Sequence, residues 1–223
     1  MLQRLRALGK GCYFVDHFAA ALFYADDIAI LAPSVKGLTC LLKLCGDYCS
    51  EFDIGLNPGK SKLMYFGRPV SVSYEVQLDG KTIKWTNECL YLGVLLSTSK
   101  VFNCAITERV KKFYRCANSI LRIDGQSSDT VMLRLLETHC IPILTYAIEV
   151  IHVTNRDERR QLRVAYNSIF RRIFCYRRSE SVTALQHFLN RPTWEELVEK
   201  RRSSFVHRIV GHGANSLAKA LII

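Results

Sequence analysis

The chain has 223 residues, 49% of them apolar, so it can form one larger packed domain or two smaller ones. Its formal net charge of +11 favours a polyanionic partner, with nucleic acid ahead of an acidic membrane surface. The longest apolar stretch, Cys140 to Val153, contains Pro142 and Glu149 and is too short to span a bilayer, and no secretory signal is apparent. We therefore expect no membrane partner and an intracellular location, in the nucleus or the cytoplasm.

Charge is unevenly distributed along the chain. Residues 1–60 carry six basic and six acidic side chains, whereas the rest of the chain carries 25 basic and 14 acidic ones. The nine cysteines are scattered without a Cys-x-x-Cys pair, and no histidine completes a zinc-finger spacing. Reduced, mostly buried thiols are the prediction.

The first third of the chain predicts a β-β-α-β order, which is an α+β pattern. Apolar runs bounded by turn residues predict strands, and apolar residues spaced by three and four predict an amphipathic helix. The predicted elements are the end of a helix at Leu2–Leu8, strands at Phe18–Tyr24 and Ile28–Leu31, a helix from Val35 to Phe52 capped by Ser34, and a strand at Leu63–Phe66.

The remainder predicts a β-hairpin and then helices. Asp79-Gly80 between alternating apolar runs is a strong hairpin signal, and another apolar run covers Cys89–Leu96. From about Val101 the apolar period becomes helical. The predicted helices are one with Ile106 to Ile120 on its apolar face, one over Val131–Val153 broken before Pro142, and two opened by the capping boxes Asn155–Glu158 and Thr193–Glu196, the last running toward Gly211. A boundary near residue 100 separates an α+β domain (1–100) from an all-helical one (101–223).

Two adjacent carboxylates, Asp26 and Asp27, lie between the first two predicted strands. Desolvating an unpaired carboxylate is costly, and a neighbouring like charge adds to that cost. Solvent at a tight turn, cationic side chains or metal ions could hold the pair. A polar hairpin turn is the ordinary explanation. Two carboxylates on a rigid turn are also ligands that suit Mg²⁺, as used in two-metal phosphoryl transfer.

The stretch from Tyr24 to Ser34 resembles the polymerase signature of reverse transcriptases from non-LTR (LINE-type) retrotransposons. The resemblance covers nearly the whole chain and is specific over residues 11–96. The other matching segments are Gly11-Cys12 before the signature, Gly55–Lys62 after the connecting helix, Leu90–Gly93 as the primer-grip strand, and, with weaker motifs, Pro142–Tyr146 and Tyr166–Arg178 in the thumb and downstream region.

The resemblance implies a polymerase palm, built as an antiparallel sheet with a packed helix, followed by a helical thumb. It implies two Mg²⁺ ions, with Mn²⁺ as an alternative, and an RNA template, a DNA primer and a dNTP as partners. Asp26 would be a catalytic metal ligand and Asp27 its partner. Lys60 would lie near the phosphates of the incoming nucleotide, although a solvated lysine after a turn remains an alternative. The resemblance places four residues against the primer: Tyr24, Tyr91, Leu92 and Gly93. A buried strand remains an alternative explanation for the last three.

The family also uses a third carboxylate on an earlier palm strand and a fingers region. Asp16 is the only earlier carboxylate, and it is too near the motif to serve that role. We therefore expect an incomplete palm, a missing upstream palm and fingers segment, and a chain that is inactive or nearly so by itself. An uncovered sheet edge also predicts self-association.

Two helix faces rich in Arg and Lys favour contact with a phosphate backbone, although a charged helix face is most often simply solvated. The residues concerned are Lys111, Arg115, Arg122, Arg160, Arg163 and Arg171. A non-catalytic nucleic-acid-binding module is therefore an alternative to a polymerase fragment, and a degenerate retroelement remnant is a third.

Overall fold

The computed structural model describes residues 1–67, 74–98, 103–104, 106–123, 127–151, 153 and 155–211. Its contacts divide the chain into two units. The first unit is Met1–Cys89 together with the residues from Arg208 onward, and the second unit is Leu90–His207. The expected start of the helical region at Val101 lies outside the described residues.

The first unit confirms the α+β prediction. Its strands form small separate antiparallel hairpins, and one long helix packs against two of them. In chain order its elements are α1 (Leu2–Ala7), β1 (Tyr13–Phe14), β2 (His17–Phe18), β3 (Ala21–Tyr24), β4 (Asp27–Ile30), α2 (Val35–Glu51), β5 (Val76–Leu78) and β6 (Lys81–Ile83).

Helix α2 organises the first unit because different parts of its apolar face pack on different partners. Its N-terminus is capped as predicted, since the Ser34 hydroxyl accepts a hydrogen bond from the Gly37 amide at 3.1 Å. One face buries Leu41 and Cys45 against α1 and the β3–β4 hairpin. The neighbouring part of the same face places Leu38 and Leu42 against the β5–β6 hairpin. The helix therefore contributes to two apolar clusters, one with each hairpin.

The region around the second hairpin differs in part from the prediction. Asp79 and Gly80, with φ of +51° and +71°, form the two-residue turn between β5 and β6 as predicted. The predicted strand at Leu63–Phe66 is wrong. Leu63 forms a single parallel bridge to Trp85, with its amide 3.1 Å from the Lys84 carbonyl oxygen, and no strand spans the segment. Leu63 is nevertheless buried in the core with Ile83, because its apolar side chain faces α2.

The second unit is mainly helical. Strand β7 (Glu88–Tyr91) crosses the boundary between the units and joins a three-stranded sheet with the next two strands. The remaining elements are β8 (Val94–Ser97), β9 (Asn103–Cys104), α3 (Thr107–Ile123), α4 (Asp129–His139), α5 (Ile141–Thr145), α6 (Arg156–Ile173), α7 (Thr183–Phe188) and α8 (Trp194–Gly211). Residues 101–223 are therefore not entirely helical, because β9 pairs with β8.

Helices α3 to α6 surround the core of the second unit, in which Phe113, Leu136 and Phe170 are fully buried. The predicted break before Pro142 is confirmed by the separation of α4 from α5. The capping box at α8 is complete: the Thr193 amide donates to the Glu196 carboxylate at 2.8 Å, and the Glu196 amide donates to the Thr193 hydroxyl at 3.3 Å.

The cysteines are only partly as predicted. None of the eight described cysteines is in a disulfide. Cys45, Cys49 and Cys140 are buried, whereas Cys40 and Cys175 are exposed, so the expectation of mostly buried thiols is wrong. Within the described part of the chain, no helix is long and apolar enough to cross a membrane.

Candidate active site and nucleic-acid interface

The carboxylate pair lies at the tip of the β3–β4 hairpin. The strands pair from Ala21↔Ile30 to Tyr24↔Asp27, which leaves Ala25 and Asp26 as a two-residue turn. Asp26 is therefore in the turn, as predicted, whereas Asp27 is the first residue of β4. Ala25 has φ of +47°, a left-handed conformation that a residue with a Cβ adopts at a cost. The hairpin thus presents both carboxylates at its tip, one in a short, sterically constrained turn and the other directly after it.

No cationic side chain pairs with these carboxylates within the described residues. Asp26 and Asp27 are both exposed, and neither side chain has a hydrogen-bond or ion-pair partner in the described part of the chain. No cluster of three acidic, histidine or cysteine side chains suited to a metal ion is found in the same described ranges. Two free carboxylates fit the oxygen chemistry that Mg²⁺ prefers, but they supply only part of a coordination shell.

The hairpin rests on a closely packed base. The Cys12 amide donates to the Leu31 carbonyl oxygen at 3.2 Å, and the Ala19 amide donates to the Cys12 carbonyl oxygen at 3.0 Å. A Cβ on Gly11 would lie 2.1 Å from the Cβ of Ala20, which is itself fully buried. Only a glycine allows the chain to pass so close to the base of the hairpin. The predicted motif Gly11-Cys12 is thus in contact with the element that carries Asp26 and Asp27.

Lys60 lies on a separate turn of the same unit. The Asn57 side-chain oxygen accepts a hydrogen bond from the Lys60 amide at 3.1 Å, and the Ser61 hydroxyl donates to the Asn57 carbonyl oxygen at 2.9 Å. These bonds order the turn through its Asn, a common turn-forming residue. The Lys60 side chain is exposed and makes no contact with Asp26 or Asp27 among the described residues. Its predicted role near a nucleotide stays a prediction.

The segment matched to the primer grip forms a hairpin tip in the second unit. Tyr91 ends β7, whereas Leu92 and Gly93 form the turn to β8 with φ of +45° and +74°. Leu92 and Gly93 are therefore not strand residues, contrary to the sequence prediction, because both adopt left-handed conformations that end the strand. The Tyr146 hydroxyl donates a hydrogen bond to the Leu92 carbonyl oxygen at 2.7 Å. The sequence placed Tyr146 in a segment that resembles the thumb and downstream region, but it did not predict this contact, since nothing local links positions so far apart.

The predicted basic residues of α3 are exposed. Lys111 forms an ion pair with Glu108 at 2.7 Å, one helical turn earlier. The guanidinium groups of Arg115 and Arg122 form no hydrogen bond or ion pair within the described residues. An exposed ion pair such as that of Lys111 contributes little to stability, so Lys111 can exchange its partner at small cost.

The basic face of α6 lies beside acidic residues from α8. Arg163 forms an ion pair with Glu195 at 3.6 Å, and Arg171 donates to the Glu180 carbonyl oxygen at 2.9 Å, whereas Arg160 is exposed. A groove of about 1010 Å³ runs beside these residues. Its charged lining consists of Arg156, Arg159, Arg160, Arg163 and Arg202, with Asp157, Glu195 and Glu199. The sequence predicts a basic face on α6, and the tertiary structure places acidic side chains beside it.

No family profile and no solved structure matches the chain. Three curated proteins are similar to it. One is the "Probable RNA-directed DNA polymerase from transposon BS" of Drosophila melanogaster, 24% identical over 200 residues that cover 85% of this chain and 22% of that protein. Another is the "RNA-directed DNA polymerase from mobile element jockey" of Drosophila funebris, 26% identical over 163 residues that cover 67% of this chain and 17% of that protein.

The third similar protein is an uncharacterized transposon-derived protein of Caenorhabditis elegans, 26% identical over 163 residues that cover 68% of this chain and 55% of that protein. The chain thus spans less than a quarter of the two polymerases. Both matches extend over most of this chain. The resemblance found in its motifs is confirmed: the chain is homologous to RNA-directed DNA polymerases of non-LTR retrotransposons.

Proposed function

We propose that this chain is part of the polymerase region of a reverse transcriptase, with residues 1–100 as part of its palm and residues 101–223 as its thumb and downstream region. The observation that carries the proposal is the pair Asp26 and Asp27, exposed and unpartnered at the tip of a hairpin whose base is closely packed. An RNA template, a DNA primer and a dNTP would be its partners in the complete enzyme. Such an enzyme would act inside the cell, in the nucleus or the cytoplasm.

Mg²⁺ would be the cofactor of that enzyme, where it would neutralise charge on the phosphates during nucleotidyl transfer. In this chain Asp26 and Asp27 would hold the metal, because both are free carboxylates at the tip of one hairpin. Lys60 would contribute a compact cation toward the phosphates, and Tyr24, which is 65% exposed beside the carboxylates, would contact the end of the primer. Two carboxylates cannot hold two ions, so we expect no polymerisation by this chain alone.

Metal binding provides the direct test. Mn²⁺ titrated into the isotope-labelled chain should broaden the amide resonances of residues 24–28, and Asp26→Asn should abolish that broadening. Asp79→Asn is the matched control, because Asp79 is an exposed carboxylate on another two-residue hairpin turn of the same unit. Equal broadening around Asp79 and Asp26 would contradict the assignment of a specific site.

Primer extension tests the expected inactivity. The purified chain is incubated with an RNA template, a DNA primer and dNTPs in the presence of Mg²⁺ or Mn²⁺. We expect no extension with either metal. Robust synthesis that disappears in Asp26→Asn would refute the expected inactivity while supporting the polymerase assignment.

A non-catalytic nucleic-acid-binding function is the second candidate, favoured by the exposed guanidinium groups of Arg115, Arg122 and Arg160, which form no hydrogen bond or ion pair within the described residues. It predicts binding of RNA or DNA that weakens steeply with salt and does not depend on Asp26. Charge reversal at Arg160 and Arg163 should weaken that binding. Binding that is unaffected by both reversals would argue against this function.

A further inference from the structure

Tyr146 packs against the tip of the β7–β8 hairpin. It lies 54 residues after Leu92, whose carbonyl oxygen accepts its hydrogen bond. Its hydroxyl donates to the Leu92 carbonyl oxygen at an O–O distance of 2.7 Å. A Cβ built on Gly93 would lie 3.1 Å from Cε1 of Tyr146 and 3.3 Å from its hydroxyl oxygen. The aromatic ring therefore lies directly on the turn, and the space for it exists because residue 93 is a glycine.

The turn needs such support. A two-residue hairpin with positive φ at both central residues is typically formed by Asn-Gly or Asp-Gly. Leu92, with φ of +45°, lacks the short polar side chain that helps Asn or Asp to adopt this conformation. Leu92 is 36% exposed, so it is not a residue of the hydrophobic core. Such a conformation persists only where surrounding contacts hold it.

Tyr146 is itself well anchored through its backbone. It directly follows Leu144 and Thr145, which are both fully buried, and it precedes Ile148, which is 2% exposed. The Thr145 hydroxyl also donates to the Ile141 carbonyl oxygen at 3.0 Å. The Tyr146 side chain, in contrast, is 51% exposed, which is more than a residue of the hydrophobic core would be. Its best-defined contact is the turn.

We infer that Tyr146 is a positioning residue, which holds the Leu92-Gly93 turn and, through it, Tyr91 in the geometry that contacts the primer strand. The link to the primer rests on the proposed function. The contact with the turn rests on the structure alone. The two parts of the inference can therefore be tested separately.

Hydrogen exchange tests the contact without any nucleic acid. Tyr146→Phe removes the hydroxyl and keeps the ring. We expect the amides of residues 92–94 to exchange about fivefold faster, the factor that corresponds to one ordinary hydrogen bond. Tyr176→Phe is the control, because Tyr176 is a partly exposed tyrosine of the same unit away from the turn. Equal exchange of residues 92–94 in the two variants would overturn the inference.

Binding tests the role toward the primer. The affinity of the chain is measured for an RNA–DNA duplex with a recessed DNA 3′ end and for a blunt duplex of the same sequence. We expect a preference for the recessed end that Tyr146→Phe loses, with blunt-duplex affinity unchanged. A preference that survives in Tyr146→Phe refutes the positioning role. No preference in the unsubstituted chain refutes the proposed primer contact instead, while hydrogen exchange still decides whether Tyr146 holds the turn.

Discussion

Replacement of Gly11 by alanine should destabilise the hairpin that carries the two carboxylates. The new Cβ would lie 2.1 Å from the Cβ of Ala20 and 2.9 Å from Cε2 of Phe18. The Phe18 ring can rotate away, but the Cβ of Ala20 is fixed to the backbone and fully buried. Gly11 does not have a left-handed φ, so the effect of the substitution would be steric.

The expected loss of stability in Gly11→Ala follows from the cost of overpacking. An extra methyl group in a well-packed site costs about 1–3 kcal/mol. We expect the upper half of that range, because backbone atoms of β3 or of the segment before β1 must move to relieve the contact. With an m-value of about 1–3 kcal/mol per molar urea, the unfolding midpoint of the first unit should fall by about 1 M.

Urea unfolding, followed by far-UV circular dichroism and by tryptophan fluorescence, measures this change. Trp85 reports on the first unit and Trp194 on the second. Gly46→Ala is the matched control, since a Cβ on Gly46 in α2 would meet nothing within 4 Å. That substitution should stabilise the helix by about 0.5–1 kcal/mol. A Gly11→Ala midpoint equal to or above that of the unsubstituted chain would refute the steric reasoning.

Four further predictions follow from the same structure. Ala25→Gly should stabilise the first unit by about 1 kcal/mol in thermal unfolding, because relief of about 1–2 kcal/mol of left-handed strain exceeds the entropic cost of glycine. Glu195→Gln should tighten nucleic-acid binding about twofold to fivefold at low salt, as measured by fluorescence anisotropy, because it frees Arg163; unchanged affinity would argue against this. Burial, together with a hydrogen bond to a neighbouring thiol, raises the pKa of Cys140 from 9.0 to about 12. The free energy of unfolding should therefore be highest below pH 9 and fall as the pH rises toward 12. Cys140→Ser should flatten that alkaline loss in urea titrations, and Cys175→Ser, an exposed control, should not. The exposed apolar side chains of the β3–β4 hairpin should cause self-association, which a monomer in analytical ultracentrifugation would contradict.

Local signals predicted most of the elements. The three-and-four spacing of apolar residues and the Ser34 cap predict α2, because periodicity and capping act within a few residues of each other. Asp79-Gly80 predicts a hairpin for the same reason. The strand predicted at Leu63–Phe66 is wrong because an apolar run does not specify a pairing strand, and in the structure Leu63 forms an isolated bridge instead.

The candidate site also contains some features that the sequence reveals and others that only the tertiary structure shows. Asp26 and Asp27 are recognisable from the sequence because their chemistry and their flanking strands are contiguous. The requirement for glycine at Gly11 depends on Ala20, and the support of Leu92 depends on Tyr146. These contacts join residues that are not neighbours in the sequence.

The sequence by itself determined the resemblance to retrotransposon polymerases, the α+β start, the mainly helical remainder and the position of the carboxylate pair, because these depend on residue type and on spacing along a few turns or strands. The tertiary structure alone decided that the side chains of Asp26 and Asp27 are exposed, that acids from α8 lie beside the arginines of α6, and that Tyr146 lies on the Leu92-Gly93 turn. The physical reason is that side-chain partners are chosen by packing in three dimensions, which brings together residues with no local relation in the chain.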